Sequence, residues 1–340
     1  MISAQEIKNM RVGTYSISTS LIIQSALNKG FICEFLPEKA VKISNGAISH
    51  YFKGTRLPCN NMVASSLSSN KYFLRKMLRK QGIPAPKTIR LTSASQWQKV
   101  LKSTLTFPLV VKPISASHAN GASMNLINAD ELRLAARRAF DYMKRNKTGH
   151  RVLVEEFFQG QDLRFFVLGE KVVSTLQREP AYVIGDGKNT IRKLISNFNN
   201  EWRSTIKYDL PLCPIPIDTE TVRHLHRYKK TLNTIPKKNQ KVTLRWNANI
   251  STGGRAIDVT DIVHPNIKKL AVQVARISKL EITGVDILCK DMTLGDISTA
   301  NVSVLETNDS PGIDIHHFPY EGEGIDVSSL ILDHIFALEA

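Results

Sequence analysis

Two stretches late in the chain set polar groups on otherwise apolar runs. Asp286 lies in EITGVDILC, and Glu306 and Asn308 lie in VSVLETND, about twenty residues on, across a polar turn. Side chains alternate along a strand, so Glu306 and Asn308 share a face, and Asp286 joins them if the strands pair. Two carboxylates and an amide oxygen are hard donors of the kind Mg²⁺ takes; solvated strand ends are the alternative. Lys112 ends the run FPLVVK, where it meets the small-residue loop PISASHANGAS. A buried lysine there calls for an anionic partner, and such a loop lets backbone N–H groups approach phosphate; an exposed lysine fits the same position. In VLVEEFFQGQD, Val152, Val154, Phe157 and Phe158 could form a slot for a flat ring. Glu155 and Asp162 could accept hydrogen bonds from a base amine and a ribose, or simply end a solvated acidic strand. LRWNANISTGG gathers Arg245, Asn247, Asn249, Ser251 and Thr252 ahead of Gly253 and Gly254. Arg is a planar cation suited to phosphate or carboxylate, and five such side chains in eight residues are more donors than a plain turn requires. Gly185-Asp186-Gly187-Lys188 lacks the spacing of a phosphate-binding Walker loop and reads as a tight turn.

These groups need strands and helices to hold them. Residues 11–60 read as a small βαβ unit, with a helix over Ser18–Lys29 and a strand after Gly30. A helix follows over Asn70–Gln81, ended by Gly82 and Pro84. Phe107–Lys112 is a strand, and Asp130–Lys144 is an amphipathic helix burying Leu132, Leu134, Ala135, Ala139 and Phe140. Strands follow at Arg151–Phe158, Leu163–Leu168 and Lys171–Leu176. The proline-rich region 196–240 reads as a helix-bearing insertion or flap. After it come a strand (Lys241–Arg245), a helix (Pro265–Leu280) and two strands, Ile282–Cys289 and Asn301–Thr307.

Length and composition bound the answer. The chain has 340 residues, 42% hydrophobic and 22% charged, which excludes collagen, low-complexity disorder and coiled coil. No apolar run approaches the roughly 20 residues of a membrane-crossing helix, and no signal peptide is legible, so a cytoplasmic protein is expected. Cys33, Cys59, Cys213 and Cys289 are far apart and lack zinc-site spacing. The net charge of +16 favours an anionic ligand. Basic residues are densest at Lys71–Lys80, Arg133–Lys147 and Arg223–Lys241, the first two as exposed helix faces; nucleic acid is the lesser alternative.

Taken in order, VVKP, VEEFFQGQD, REPAYVIGDGKNTIRKLI, LRWNANISTGGRAIDVTDIVHP, GVDIL and LETNDSPG resemble the ATP-grasp superfamily. Within it they resemble the ATP-grasp module of cyanophycin synthetase and the glutathione-synthetase half of the bifunctional glutamate–cysteine ligase/glutathione synthetase. The likeness runs over roughly residues 70–320. It implies an α/β fold of two α+β lobes clamping ATP, with a mobile lid over residues 88–157. The implied units are a small N-terminal α/β domain (1–70), a linker and lid subdomain (71–157) and a C-terminal subdomain with the magnesium and substrate sites (158–340). It implies ATP and Mg²⁺, two ions, with Mn²⁺ as a substitute. Lys71 and Lys112 would meet the phosphates, with Ser117, His118 and Glu156 joining the nucleotide set. Glu155 would meet the adenine amine, Phe157 and Phe158 would complete its slot, and Asp162 would hold the ribose. Asp286 and Glu306 would share one metal, and Glu306 and Asn308 the other. Arg245, Asn247, Asn249, Ser251, Thr252, Gly253 and Gly254 would face the acylphosphate and substrate, joined by Arg178, Asp314 and His316.

Three departures matter. Ala116 and Ala119 stand where the relatives carry lid glycines, and Asp314 stands where they often carry a basic residue. The large partner halves of those enzymes are not in this sequence. The expected activity is an ATP-dependent carboxylate–amine ligase forming a C–N bond on an amino acid or small peptide. The alternatives are a ligase acting on a peptide or protein terminus, a phosphotransferase, and a non-catalytic nucleotide or nucleic-acid binder. No membrane partner is expected, and a homo-oligomer stays open. Cys213 and the His224/His226 pair read as packed or solvated, with substrate contact the lesser alternative, and His317 reads as packing.

Overall fold

The computed structural model describes residues 15–114, 121–147, 149–204 and 213–338. Helix α1 (Ile17–Asn28) is capped by Ser16, which accepts from Thr19 N at 3.2 Å. It leads into β1 (Ile32–Leu36), β2 (Ala40–Ser44) and β3 (Ser49–Phe52), an antiparallel meander and not the βαβ unit that the sequence suggests. The turns decide this. Pro37 to Lys39, with Glu38 and Lys39 both at φ 59°, reverse the chain in place, whereas a parallel return needs a crossover of about a dozen residues. Helices α2 (Met62–Ser69) and α3 (Lys71–Lys80) follow, each started by an asparagine cap, Asn61 and Asn70. α3 turns Leu74, Arg75 and Leu78 inward.

The next unit is a four-stranded antiparallel sheet, ordered β4 (Thr88–Leu91), β7 (Val152–Glu156), β5 (Leu109–Pro113), β6 (Ser123–Leu126). Helices α4 (Trp97–Leu101) and α5 (Ala129–Asn146) belong to it. α5 is held at its start by a reciprocal cap: Glu131 N donates to Asn128 Oδ1 at 2.9 Å, and Ile127 N donates to Glu131 Oε2 at 3.1 Å. Its buried stripe is Leu132, Ala135, Ala136, Ala139 and Met143. Leu134, expected inside, is 45% exposed, because residues two apart do not share a helix face. Phe140 is half-buried.

The last unit is a five-stranded antiparallel sheet. Strands β8 (Gln161–Leu168) and β9 (Lys171–Glu179) form its first hairpin. The insertion follows: β10 (Tyr182–Ile184), α6 (Ile191–Ser204), α7 (Thr219–Arg227) and β11 (Lys241–Thr243). It packs a small core of its own around Val183, Ile195, Leu225 and Leu244. Within it the Gly185–Lys188 turn is tight as expected, closed by Asp186, which accepts from the Lys188 and Asn189 amides. β12 (Arg255–Asp258), α8 (Pro265–Ser278), β13 (Ile282–Cys289) and β14 (Val302–Asn308) complete the sheet, ordered β12-β9-β8-β13-β14. Two short elements close the chain, α9 (Asp314–His317) and α10 (Val327–Ala337).

The sheet faces explain where chemistry can sit. Leu163, Phe165, Val167, Val285 and Ile287 point at α8 and form the main core. On the opposite face, Phe166, Leu168 and Ile282 lie under α1 and α10, in one cluster with Ile22, Ile331 and Leu332. That same face turns charged farther along the strands, at Asp162, Arg164 and Asp286. Asn60 pins the arrangement. Its Oδ1 accepts from Glu281 N (2.9 Å) and Ile282 N (3.1 Å), and its Nδ2 donates to Ile282 O (2.7 Å) and Asp309 O (3.3 Å).

Candidate active site

β13 and β14 carry the acids, and a register break sets their direction. Ile287 pairs with Val304, but Asp286 pairs with Glu306, so Leu305 is an extra residue in the ladder. Such a bulge shifts every later side chain to the other face. Val302 and Val304 therefore enter the α8 core, while Glu306 and Asn308 turn to the face of Asp286. Arg75 of α3 donates from Nε to the Leu305 carbonyl at 3.1 Å.

These acids line a cleft of about 1510 Å³ between the four- and five-stranded sheets, closed on a third side by the insertion. Asp286 is 2% exposed. Its two oxygens accept from Arg164 Nε and Nη2, both at 2.8 Å, and Oδ2 also accepts from Arg178 Nη2 at 2.9 Å. Arg178 reaches on to Asp162 Oδ1, with Nε at 2.9 Å. Burial opposes ionisation of Asp286, yet the Arg164 and Arg178 charges hold its carboxyl well below the ordinary range. Burial dominates at Asp162 instead, and raises it. Glu306 Oε2 lies 2.9 Å from Lys71 Nζ. Burial works against the charged form of Glu306 too, and Lys71 overrides it to hold the carboxyl low.

Across the cleft, Lys112 Nζ lies 2.7 Å from Glu155 Oε1. Arg75 contacts the other Glu155 oxygen. The Glu155 carboxylate, the residue expected at an adenine amine, is 3% exposed and lies between these two cations, as a buried charge requires. Glu156, Phe157 and Phe158 do line the cleft. Phe157 N donates to Pro108 O at 2.9 Å, and Lys290 Nζ sits 5.5 Å from the Phe158 ring. Ser117, His118, Ala116 and Ala119 lie outside the described residues.

The third wall is the loop after β11. Arg245 is 5% exposed, and its Nη1 donates to Asp218 Oδ1 (2.9 Å) and Thr221 Oγ1 (3.0 Å). Asn247 accepts from Thr252 Oγ1 at 2.9 Å. Asn249 and Ser251 reach the cleft wall. Thr252, Gly253 and Gly254, expected against substrate, stand behind the loop and shape it. A Cβ on Gly254 would lie 2.7 Å from the Ala248 and Asn249 carbonyl oxygens. Asp314 lines this end beside Cys213, whose thiol is raised by burial and then by the Asp314 charge. His316 corrects another expectation. It is 1% exposed, under the Phe166 ring, with Nδ1 2.7 Å from Ser174 Oγ, and it does not line the cleft. His224 also lines the cleft, but as a ring set edge-on to Trp246 at 4.6 Å; burial, then Arg223 and Arg245, lower its pKa to about 4.

Arg75 and Arg164 went unmarked by sequence reasoning. Arg164 had a signal, since it shares the strand period of Asp162. Arg75 sits one helical turn after Lys71, on a helix whose basic residues read as solvated.

Among the described residues no cluster of three or more His, Cys, Asp and Glu is assembled; the candidate metal set is two acids and an amide. Its donor chemistry fits a hard cation. A carboxylate offers about four acceptor positions, and Glu306 uses one for Lys71. Among the described residues Asn308 Oδ1 accepts from Ser310 N alone, at 3.1 Å. Asp286 is the most occupied of the three.

Residues 68–183 match the family model of the RimK-like ATP-grasp domain, and the fold superposes on a bifunctional glutathione synthetase from Pasteurella multocida with a TM-score of 0.67. Residues 68–183 are a RimK-like ATP-grasp domain. That superposition has 27% identity and covers 95% of this chain and 44% of the other. In sequence, the chain is 31% identical over 323 residues to the glutathione biosynthesis bifunctional protein GshAB of Clostridium perfringens, across 94% of its own length and 41% of the relative's. It is 30% identical over 302 residues to the cyanophycin synthetase of Crocosphaera subtropica, across 88% and 34% of the two lengths. The chain thus spans less than half the length of these relatives. The stretch that matches the ATP-grasp model holds Lys71, Lys112, Glu155, Asp162 and Arg178; the acids Asp286 and Glu306 lie beyond it. No helix among the described residues is long and apolar enough to cross a membrane.

Proposed function

We propose that this chain is an ATP-dependent ligase that joins a carboxylate to an amine through an acylphosphate, releasing ADP and phosphate. The observation that carries this reading is the meeting, in one cleft, of three sets of groups from three parts of the fold. Lys71 and Lys112 face Asp286 and Glu306, with the Arg245–Ser251 loop on the third side. The bifunctional glutathione synthetase and cyanophycin synthetase relatives support it. The substrates are an amino acid or small peptide and an amine.

In this reading Lys71 and Lys112 bind phosphate oxygens, exchanging their present carboxylate partners for the nucleotide. Phe157 and Phe158 flank the base, and Asp162 is the acceptor nearest the ribose. Asp286, Glu306 and Asn308 would hold Mg²⁺, which when bound offsets the charge of the transferring phosphoryl group. Arg245, fixed by Asp218 and Thr221, meets the phosphoryl group or the substrate carboxylate. Positioning and electrostatics of this kind are what such a transfer asks of a protein. Acylphosphates hydrolyse readily, so the four-stranded unit acts as the lid that excludes water.

The test is ADP release with Mg²⁺ and ATP against pooled acids and amines, with mass spectrometry of each active pool. ADP that requires both components, with a product one water lighter than their sum, supports the ligase. ADP that requires only the acid, with a stable phosphorylated product, replaces it with a phosphotransferase.

A further inference from the structure

Helix α7 touches two sides of the cleft at once. At its N-terminus Asp218 caps it, accepting from Thr221 N at 3.0 Å, and the same carboxylate holds Arg245 Nη1 at 2.9 Å. In the middle, His224 and Arg223 pack on Trp246, the residue after Arg245, at 4.6 Å and 4.4 Å. At its C-terminal end the contacts pass to the four-stranded unit. Arg227 Nη2 donates to Glu131 Oε1 at 2.6 Å and to Asn125 O at 3.4 Å. Arg223 donates to Met124 O and lies 3.7 Å from Glu131. Glu131 is itself fixed by the cap at the start of α5. Apart from the Asp218 cap, these contacts join segments far apart in sequence and none is needed to close a local turn.

We infer that α7 is a strut coupling the four-stranded unit to the Arg245 loop, and that Asp218 is a positioning residue that sets Arg245. The inference rests on the proposed function for what the coupling serves: when the four-stranded unit settles on the nucleotide, the strut carries that position to the loop that meets substrate. It accounts for two arginines spent on one short helix of the insertion, and for a capping aspartate that also faces a buried cation.

The experiment is hydrogen exchange followed by mass spectrometry on the full chain, with and without MgADP. In the wild type MgADP slows exchange in residues 121–131 and also in 219–228 and 245–252. In Arg223→Ala/Arg227→Ala it still slows 121–131, and the other two segments keep their ligand-free rates. In Asp218→Asn, which keeps the cap and removes the charge, slowing reaches 219–228 and stops before 245–252. Slowing that spreads equally in the arginine double variant, or that never leaves 121–131 in the wild type, overturns the strut. Absence of any MgADP effect in the wild type overturns the nucleotide reading instead. The strut is then judged without ligand: residues 121–131 should exchange about threefold faster or more in the double variant, as expected for losing partly buried ion pairs, and equal rates sink it.

Discussion

Arg75 Nε donates to the main-chain oxygen of Leu305, and Leu305 is the residue that breaks the register between β13 and β14. A buried guanidinium on a helix thereby holds the kink that turns Glu306 out of the core. The same guanidinium contacts Glu155 on the opposite wall, so one side chain ties the two walls at their base.

Removing it should have two separable effects. Arg75→Met leaves Glu155 short of a buried partner and should lower stability by about 3 kcal/mol, measured by urea unfolding. It should also raise the Mg²⁺ concentration for half-maximal ADP release by about tenfold, as loss of a ligand-orienting contact does. Leu74→Ala, a cavity of comparable cost on the same helix, is the control. An equal magnesium shift in both variants would assign Arg75 to stability alone.

Glu306→Ala tests the acid face directly. ADP release should fall about a hundredfold or more, while the thermal midpoint moves by no more than about 4 °C, since the side chain faces the cleft. Full activity in that variant would remove Glu306 from the metal set.

Asp314 stands at the substrate end beside Cys213. Asp314→Arg should change which acids or amines release ADP while leaving the KM for ATP within about twofold, the pattern of a group that touches substrate and not nucleotide. Competition among pooled substrates reads this out, and an unaltered profile refutes it.

His224 gives a pH dependence with a definite sign. Its pKa falls from 6.5 to about 4 because the ring is buried, with Arg223 and Arg245 close by. Between those values the unfolded chain binds a proton that the folded chain refuses, so stability declines as pH falls through the window. The limiting slope is about 1.4 kcal/mol per pH unit for one such group. His316 acts in the same direction, driven by its burial and by Arg164. His224→Phe should make the decline shallower between about pH 7 and pH 4.5; parallel curves for variant and wild type would refute this.

How much of this was legible beforehand varies with the physics involved. Strands with strong patterns were readable, and so was the shared face of Glu306 and Asn308. Strict alternation, however, puts Glu306 on the side of Val304, and only the bulge at Leu305 separates them. A bulge leaves little trace in one sequence. The role of Glu155 was hidden because its partners, Arg75 and Lys112, lie far off in the chain. The N-terminal meander was misread because apolar runs carry period but not direction, and direction there is set by two short turns. Leu134 was a plain error of helical phase.

The matched ATP-grasp stretch and the clamp at Asn60 together bear on how such a protein can be recombined. Residues 68–183 look like a transferable cassette, yet they carry the lysines without the acids. The acids stand on strands whose entry is pinned by Asn60, upstream of the cassette, and whose apolar flank is roofed by α1 and α10. A chimaera that exchanges only the cassette would split the chemistry across both junctions. The heritable unit of activity is therefore wider than the stretch by which it is recognised, and an asparagine well outside that stretch travels with it.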